Sequence, residues 1–261
     1  MELFDHIRAS VREPGFWAYS SWLDIVTKYR RSRLGMVWLL LPPMLYVGGI
    51  GYFYALLQNK DPMASIPVFA IGYLLYRLFA SVITESCTVL LGHSGFILDG
   101  HLRLTDFMFR VLAKSLFYLL AAMPLVVVVL LLSPALHWTG LLTLPAAFFL
   151  VVSNLFWISV VVALLGARYP DVNELTGSIF IFAFILTPIL WPPEMAPWGT
   201  PHGWFMRANP LYHMIEIIRA PLFGNHIETL TYVYMAAMTV IGWTAAAVLY
   251  RRYSRYVPVW V

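Results

Sequence analysis

The chain has 261 residues, of which 61% are hydrophobic and only 11% are charged, and its formal net charge is +4. Soluble domains carry about 25% charged residues, so this composition excludes a soluble globular protein and indicates an integral membrane protein. The small net charge gives no indication of nucleic-acid binding, and a single cysteine, Cys87, excludes an internal disulfide.

The first 35 residues mix polar, basic and aromatic side chains. Four large side chains recur at helical spacing within 16–33: Tyr19, Trp22, Val26 and Tyr29. An apolar stripe followed by a basic cluster is typical of a helix lying in the plane of a membrane surface, and the alternative is an ordinary polar tail. We therefore predict an interfacial amphipathic segment over 1–35 and a membrane domain over 36–261. Gly35 permits a sharp turn between them.

Six apolar runs approach the length of about 20 residues that crosses a membrane. They lie near 36–57, 66–91, 107–132, 141–166, 175–191 and 232–250. The first run contains Pro42-Pro43 and the sequence GGIGYFY, and because proline removes a backbone hydrogen bond, we expect an irregular helix there. The sequence predicts an all-α membrane protein with six transmembrane helices.

Lysine and arginine are distributed unevenly over the segments between these runs. With the N-terminus in the cytoplasm, the inner segments hold Arg8, Arg12, Lys28, Arg30, Arg31, Arg33, Arg103, Arg110, Arg168, Arg251, Arg252 and Arg255. The outer segments hold only Lys60, Arg207 and Arg219. An excess of Lys and Arg marks cytoplasmic loops, so we predict that both termini are cytoplasmic.

Three polar residues of the second run, Arg77, Ser81 and Glu85, lie four residues apart on one helical face. A charge near the bilayer centre costs on the order of 3 kcal/mol, so such residues seldom face lipid. They are either the polar wall of a pathway or a structural network between helices, and both interpretations stay open. Because Arg77 and Glu85 are two turns apart, we expect one of them to find a partner on another helix.

The predicted inner loop at 92–106 is more apolar than a simple connection requires. Its apolar core and the residues that follow are Phe96, Ile97, Leu98, His101, Leu102 and Leu104. Apolar side chains exposed on a short helix indicate a surface for a partner protein. The third run then opens with Asp106, Arg110 and Lys114, which we expect to support one another at i, i+4 spacing.

The stretch NPLYHMIEIIRAPLFG at 209–224 is apolar but too short to cross a membrane. Its apolar stripe is Leu211, Ile215, Ile218 and Leu222, and a second stripe is His213, Glu216 and Arg219. Pro210 suits a first helical position and Pro221 a helix end. We predict a short helix that enters from the outer face and plugs or lines an exit. The alternatives are a helix resting on the outer surface and, for His213 and Glu216, a local hydrogen bond or a catalytic dyad, of which we expect the hydrogen bond.

Motifs of catalysis are missing from the sequence. It contains no G-x-x-x-x-G-K-[ST] loop for ATP, no zinc-ligand spacing and no G-x-S-x-G serine. We therefore expect no catalytic residue, metal or cofactor in this chain, and an energy source on a partner.

Several stretches together resemble the membrane subunit of ABC-2 type polysaccharide exporters, the O-antigen (Wzm-like) and capsule permeases. They are KYRRSRLGMVWLLLPPM at 28–44, ARYPDV at 167–172 leading into LTPILWPPEM at 186–195, and NPLYHMIEIIRAPLFG at 209–224. The resemblance implies two copies of the chain around a pore in a bacterial inner membrane, two copies of a soluble ATP-binding subunit that carries ATP and Mg, and a lipid-linked polysaccharide as substrate.

The resemblance also implies roles for particular segments. The lipid entrance would lie at Arg30, Arg31, Arg33, Leu34 and Gly35. The surface that couples to the ATPase would contain Phe96, Leu98, Asp99, His101 and Leu104. The outer gate would contain Tyr212, His213, Glu216 and Arg219.

Aromatic side chains recur at helical spacing on three of the runs. They are Trp38, Tyr46 and Phe53 on the first, Phe69, Tyr73 and Tyr76 on the second, and Phe180, Phe184 and Trp191 on the fifth. Flat rings stack on sugars without strong directional bonds, so we expect these residues to line a polysaccharide path, although packing and interface anchoring use aromatics too.

Three other functions stay open at this point. One is an exporter of capsular polysaccharide or teichoic acid, and another is a permease for small substrates such as drugs. The third is a membrane enzyme, for example a lipid-modifying acyltransferase that acts without an ATPase.

Overall fold

A computed structural model describes residues 2–261, and all regular structure in this range is helical. The helices are α1 Glu2–Arg12, α2 Gly15–Arg30, α3 Leu41–Met44, α4 Gly51–Leu57, α5 Pro62–Val89, α6 Ser94–Leu98, α7 Leu104–Leu131, α8 Gly140–Arg168, α9 Val172–Leu186, α10 Pro201–Ala208, α11 Pro210–Leu222, α12 Thr229–Tyr253 and α13 Val257–Trp260. The predicted all-α class is confirmed.

Within the described range, four helical segments are long and apolar enough to cross a membrane. They are α5, α7, α8 and the continuous segment Thr229–Trp260 that begins with α12. The first and fifth predicted runs form shorter apolar helices, Leu41–Leu57 and Val172–Leu186. At 1.5 Å per residue, the 15 residues of α9 extend for about 22 Å, less than the hydrocarbon thickness of about 30 Å.

The first run is irregular, as its prolines and glycines predict. A 3₁₀ turn at Gly35–Leu39 leads into α3, whose first turn contains Pro42-Pro43, and a π-helical turn at Leu45–Ile50 connects α3 to α4. The run begins at Gly35, whose φ of +52° is unfavourable for a residue with a side chain. The predicted turn after the N-terminal helix is therefore present.

Helix α5 lies at the centre of the molecule. It is the most buried of the four long helices and packs against α7 and α8, while α12 packs against α8. The α5–α8 crossing is close at Gly166, where an added Cβ would lie 1.9 Å from the carbonyl oxygen of Cys87. The side chain of Cys87 is buried, as a small hydrophobe is expected to be, and its Sγ lies 3.4 Å from Thr176 Oγ1 of α9.

Helix α1 and the end of α12 lie together at one end of the molecule, which we call the terminal end. His6 Nδ1 is 2.7 Å from the Tyr250 hydroxyl, and Ser10 Oγ is 2.7 Å from Thr105 Oγ1, so α1 packs against α12 and α7. The sequence predicts an interfacial arm over this segment and does not predict α1 as a separate helix. The opposite end, predicted to be the outer one, contains the α4–α5 connection and the segment from Thr187 to Glu228.

The second helix, α2, lies along α7. Trp17 stacks on Phe109 at 5.5 Å between ring centroids, and its indole nitrogen donates to the Ser10 carbonyl. In the predicted apolar stripe, Tyr19 and Trp22 are 68% and 47% exposed. This part of the stripe is open to the surroundings, as contact with lipid requires.

Candidate functional site

Helix α11 is enclosed by the rest of the protein. Asn209 caps it by accepting from the Leu211 amide at 3.0 Å, and Pro210 occupies the first turn, as predicted. The helix packs against α5, α8 and α12. Both predicted stripes face the interior of the protein. From Leu211 to Leu222, every residue is buried except Leu211 and Pro221, which are half-buried. A helix resting on the surface would leave one stripe open, so this alternative does not describe α11.

An ion pair within α11 fixes the chain that precedes it. Arg219 donates to the Glu216 carboxylate, and its Nη1 donates to the Pro188 carbonyl at 2.7 Å. Asn209 Nδ2 donates to Thr187 Oγ1 at 2.8 Å. The non-helical segment after α9 is therefore held against α11 at both ends of the helix, which satisfies polar groups that are buried there.

A second ion pair, which the sequence analysis did not predict, joins α10 to the start of α12. Arg207 is buried, and its Nε lies 2.9 Å from a Glu228 carboxylate oxygen. Its Nη1 donates to the carbonyls of Ala196 and Gly203, and its guanidinium lies 4.3 Å from the Trp198 ring centroid. The only signal in the sequence is that Arg207 lies just before the stretch at 209–224 and Glu228 just after it.

His213 is fully buried and holds α11 against its neighbours. Its Nδ1 is 2.9 Å from Thr231 Oγ1, its Nε2 donates to the Arg207 carbonyl at 2.8 Å, and its ring stacks on Tyr234. Burial lowers the pKa of His213, which favours the neutral imidazole. The expected hydrogen bond between His213 and Glu216 is wrong, because Glu216 is engaged by Arg219 instead.

A cavity of about 610 Å³ opens beside these groups, at the end opposite the termini. Three of the four predicted gate residues line it: Tyr212, Glu216 and Arg219. Its wall also contains aromatic and polar side chains: Tyr54, Gln58, Lys60, Trp191, Glu194, Trp198, Arg207, His226 and Glu228. The charged members comprise three basic residues and three acidic ones, so the cavity combines flat rings with hydrogen-bonding groups without a dominant charge.

Six of the predicted path residues form one aromatic cluster: Tyr46, Phe69, Tyr73, Tyr76, Phe180 and Phe184. Tyr46 stacks on Tyr73 with 4.6 Å between ring centroids, and Phe184 contacts Tyr76 at 5.2 Å. The Tyr76 hydroxyl donates to the Phe180 carbonyl. The cluster thus joins the irregular first run, α5 and α9, and Tyr46, 38% exposed, forms its open edge.

The other three predicted path residues lie outside this cluster. Trp38 and Phe53 are 44% and 58% exposed, and the nearest ring to Phe53 is its neighbour Tyr54. Trp191 borders the cavity, and its indole nitrogen donates to the Ile185 carbonyl at 2.9 Å. The structure therefore brings six of the nine predicted path residues into contact, whereas Trp38, Phe53 and Trp191 lie outside the cluster.

Polar residues of α5 and α7 pair across the two helices. Lys114 pairs with Glu85, and Ser81 Oγ lies 2.9 Å from Ser115 Oγ. Arg110 reaches Asp24 of α2 at 2.7 Å. The expected mutual support of Asp106, Arg110 and Lys114 is therefore wrong: Asp106 accepts from the Arg103 amide at 3.0 Å instead, and the two cations have partners on other helices.

The predicted inner loop at 92–106, where a partner protein is expected to bind, contains the short helix α6. Phe96 and Leu98 are 51% and 61% exposed, while Ile97 between them is buried. Asp99 and His101 are exposed on the turn that follows, and Leu104, at the first position of α7, is half-buried against the core. Phe96 and Leu98 are thus exposed at the surface, while the buried Ile97 between them anchors α6 to the rest of the protein.

The predicted entrance residues lie at the end of α2 and directly after it, where Lys28 Nζ is 5.7 Å from the ring centroid of Tyr118, midway along α7. Arg30, Arg31, Arg33 and Leu34 are exposed and Gly35 is half-buried. They form a basic surface directly before the irregular first run. Within residues 2–261 no group of three or more His, Cys, Asp or Glu side chains is placed to hold a metal ion.

Residues 17–223 match the family model described as ABC-2 type transporter. Two curated relatives from Klebsiella pneumoniae are both described as O-antigen export system permease protein RfbA. One is 27% identical over 224 residues, which cover 84% of this chain and 83% of the relative, and the second is 26% identical over the same length. The family match extends over most of α2 and through α11, so it includes the aromatic cluster and α11 itself.

Proposed function

Because the chain belongs to the ABC-2 type transporter family, we propose that it is the membrane subunit of an exporter of lipid-linked polysaccharide, of the O-antigen kind. The observation that carries the proposal is its similarity to O-antigen export permeases over 84% of its length. Two copies of the chain would form the conduit, and a separate ATPase that binds ATP and Mg would drive it.

The aromatic cluster supports a carbohydrate substrate. Its rings come from three elements and reach the surface at Tyr46, and sugar rings stack on such faces while remaining able to slide. The cavity beside α11 adds Trp191 and Trp198 with carboxylates and amides that hydrogen-bond to hydroxyls. A polymer leaving the cluster would meet these groups next. A capsular or teichoic acid polymer would use the same features, but no observation favours it.

The surface of the chain supports a second copy and an ATPase. Apolar side chains on α4 and α9 are exposed, among them Phe53, Leu57, Ile181 and Phe182, and a second copy would cover part of this surface. Phe96 and Leu98 offer a separate apolar contact at the terminal end, where the ATPase would bind. This arrangement requires both termini in the cytoplasm, the inner membrane as location, and six crossings that include the two shorter apolar helices.

The proposed path can be tested by expressing variants in cells that lack the native chain and measuring the polysaccharide on the cell surface. Replacing Tyr46, Tyr73 or Phe184 by Ala should reduce surface polysaccharide severalfold, because each change removes a ring of the cluster. Phe149→Ala is the matched control, since Phe149 is 75% exposed on α8 and should leave export unchanged. Co-purification with the ATPase should persist in all four variants. Normal export by all three cluster variants would overturn the proposed path.

A further inference from the structure

A ladder of polar side chains runs along α5 and α7 from the terminal end towards the middle of the molecule. It begins at Arg110 with Asp24, continues through the Lys114–Glu85 pair and the Ser81–Ser115 contact, and ends at Arg77. Each charged group before Arg77 has an ionic partner. Arg77 lies near the midpoint of the 28 residues of α5, where an unneutralised charge is least favourable.

Among the described residues, Arg77 has no ionic partner, and its Nη1 is buried without a hydrogen bond. Arginine stays charged in proteins, and its donors are arranged for two-point contact with oxyanions. The residue is half-buried, so one side of the guanidinium remains accessible. A buried cation of this kind indicates an anion that the structure does not contain.

The groups around Arg77 are hydrogen-bond donors suited to an oxyanion. A small cavity of about 20 Å³ is lined by Arg77, Ser81, Ser115 and Tyr118 together with leucines. This volume holds about one water molecule, so a larger anion would bind at the open side of the guanidinium. Carboxylates from a second copy are poor candidates. Of the two carboxylates within the four long helices, Glu85 is paired with Lys114 and Asp106 is buried within its own chain.

Arg77 is also adjacent to the aromatic cluster. It follows Tyr76 directly and lies four residues after Tyr73, so Tyr73 and Arg77 are neighbours on one helical face. Rings that stack on sugar and a cation without a partner are therefore within one helical turn. We propose that Arg77 binds a phosphate or diphosphate group on the lipid-linked substrate; this rests on the proposed function.

Binding of farnesyl diphosphate to the purified full-length chain in detergent, measured by isothermal titration, tests the inference. Arg77→Gln should weaken binding roughly tenfold or more, the usual effect of losing charge-assisted hydrogen bonds, while Arg77→Lys should retain part of the affinity. Arg251→Gln removes an equal charge from the exposed end of α12 and should bind as the wild type does. Farnesol, which lacks the anion, should bind weakly and equally to all four proteins.

Equal affinity of wild type and Arg77→Gln for farnesyl diphosphate would overturn the inference. The inference would also fail if Arg77→Gln weakened farnesol binding by the same factor as farnesyl diphosphate binding. Competition by phosphatidylglycerol as strong as by farnesyl diphosphate would overturn the assignment to the substrate and point to a membrane phospholipid. Size-exclusion profiles and the Arg77→Lys variant separate these results from misfolding. Failure of the wild-type complex to export glycan would instead overturn the proposed function and leave the binding result intact.

Discussion

Arg219 and Glu216 show how single residues decide whether a charged helix remains inside the protein. Their side chains are 4% and 11% exposed, and the pair also satisfies the Pro188 carbonyl. A buried pair does not necessarily stabilise a protein relative to apolar residues, but removal of one partner leaves an uncompensated charge. The position of α11 therefore depends on both residues together.

We predict that Arg219→Met and Glu216→Gln each destabilise the protein by about 3–5 kcal/mol, the usual effect of breaking a buried pair. The double variant should be less destabilised than the sum of the two, because it leaves neither charge unpaired. Thermal unfolding in detergent measures all three. Arg103→Gln is the control, since its pair with Glu13 is exposed and should add little; an equally small effect in every variant would contradict this account.

His93 links three elements at the terminal end. Its Nδ1 donates to the Val89 carbonyl at 2.7 Å, so its Nε2 is free to accept from Arg110, which also binds Asp24. Burial, the largest cause, and the nearby Arg110 charge lower the pKa of His93, and these effects exceed those of Val89, Asp24 and Glu85, which raise it. The imidazole is therefore neutral in the folded protein.

This lowered pKa predicts acid sensitivity. Above about pH 6.5, the ordinary His value, the imidazole is neutral in both folded and unfolded chains and its contribution is complete. As the pH falls through 6.5 towards the lower folded pKa, the unfolded chain binds the proton first, so stability decreases. Melting temperatures between pH 7.5 and 5 should fall less steeply in His93→Gln than in the wild type. Parallel pH profiles would disprove the role of His93.

At the scale of elements, close approach of helices shapes the centre of the molecule. Gly166 of α8 meets the backbone of α5 at Cys87, and Gly242 of α12 meets the ring of Trp157, where an added Cβ would lie 2.1 Å from the nearest ring atom. Small residues at helix crossings allow the backbones to approach in a membrane. The α5–α8 contact cannot be kept if Gly166 gains a side chain.

Gly166→Ala should therefore strongly reduce the yield of folded protein, because the backbone carbonyl of Cys87 cannot move without shifting α5. The matched control is Gly177→Ala in α9, where the added Cβ has no atom within 4 Å beyond its own stretch of helix and alanine favours the helix by about 1 kcal/mol. Monodisperse yield after detergent extraction measures both. Similar yields for the two variants would show that the α5–α8 crossing is looser than described.

Local signals in the sequence predicted several elements well. Apolar length predicts α5, α7, α8 and α12 because the hydrocarbon thickness dictates it, and Pro42-Pro43 and Gly35 predict the irregular first run. Partners distant in the sequence were not predictable: Arg110 and Asp24 are 86 residues apart. The docking of α1 was missed, although Leu3, Ile7 and Ser10, at i, i+4 and i+7, form its inner face.

For the whole molecule, the contacts divide into two ends with different properties. The terminal end presents Phe96 and Leu98 beside basic segments, and the opposite end contains the enclosed α11, two ion pairs and the large cavity. The aromatic cluster lies between them, in the interior of α5. This arrangement suits a protein in which force applied at one end opens a passage at the other.

The most direct test of this account is glycan transport in vesicles containing the purified chain with and without its ATPase. We predict that labelled lipid-linked polysaccharide crosses only when the ATPase and ATP are both present. The double variant Phe96→Ala/Leu98→Ala should abolish transport by preventing docking of the ATPase. Transport by the chain alone, at the rate of the complete complex, would contradict the account.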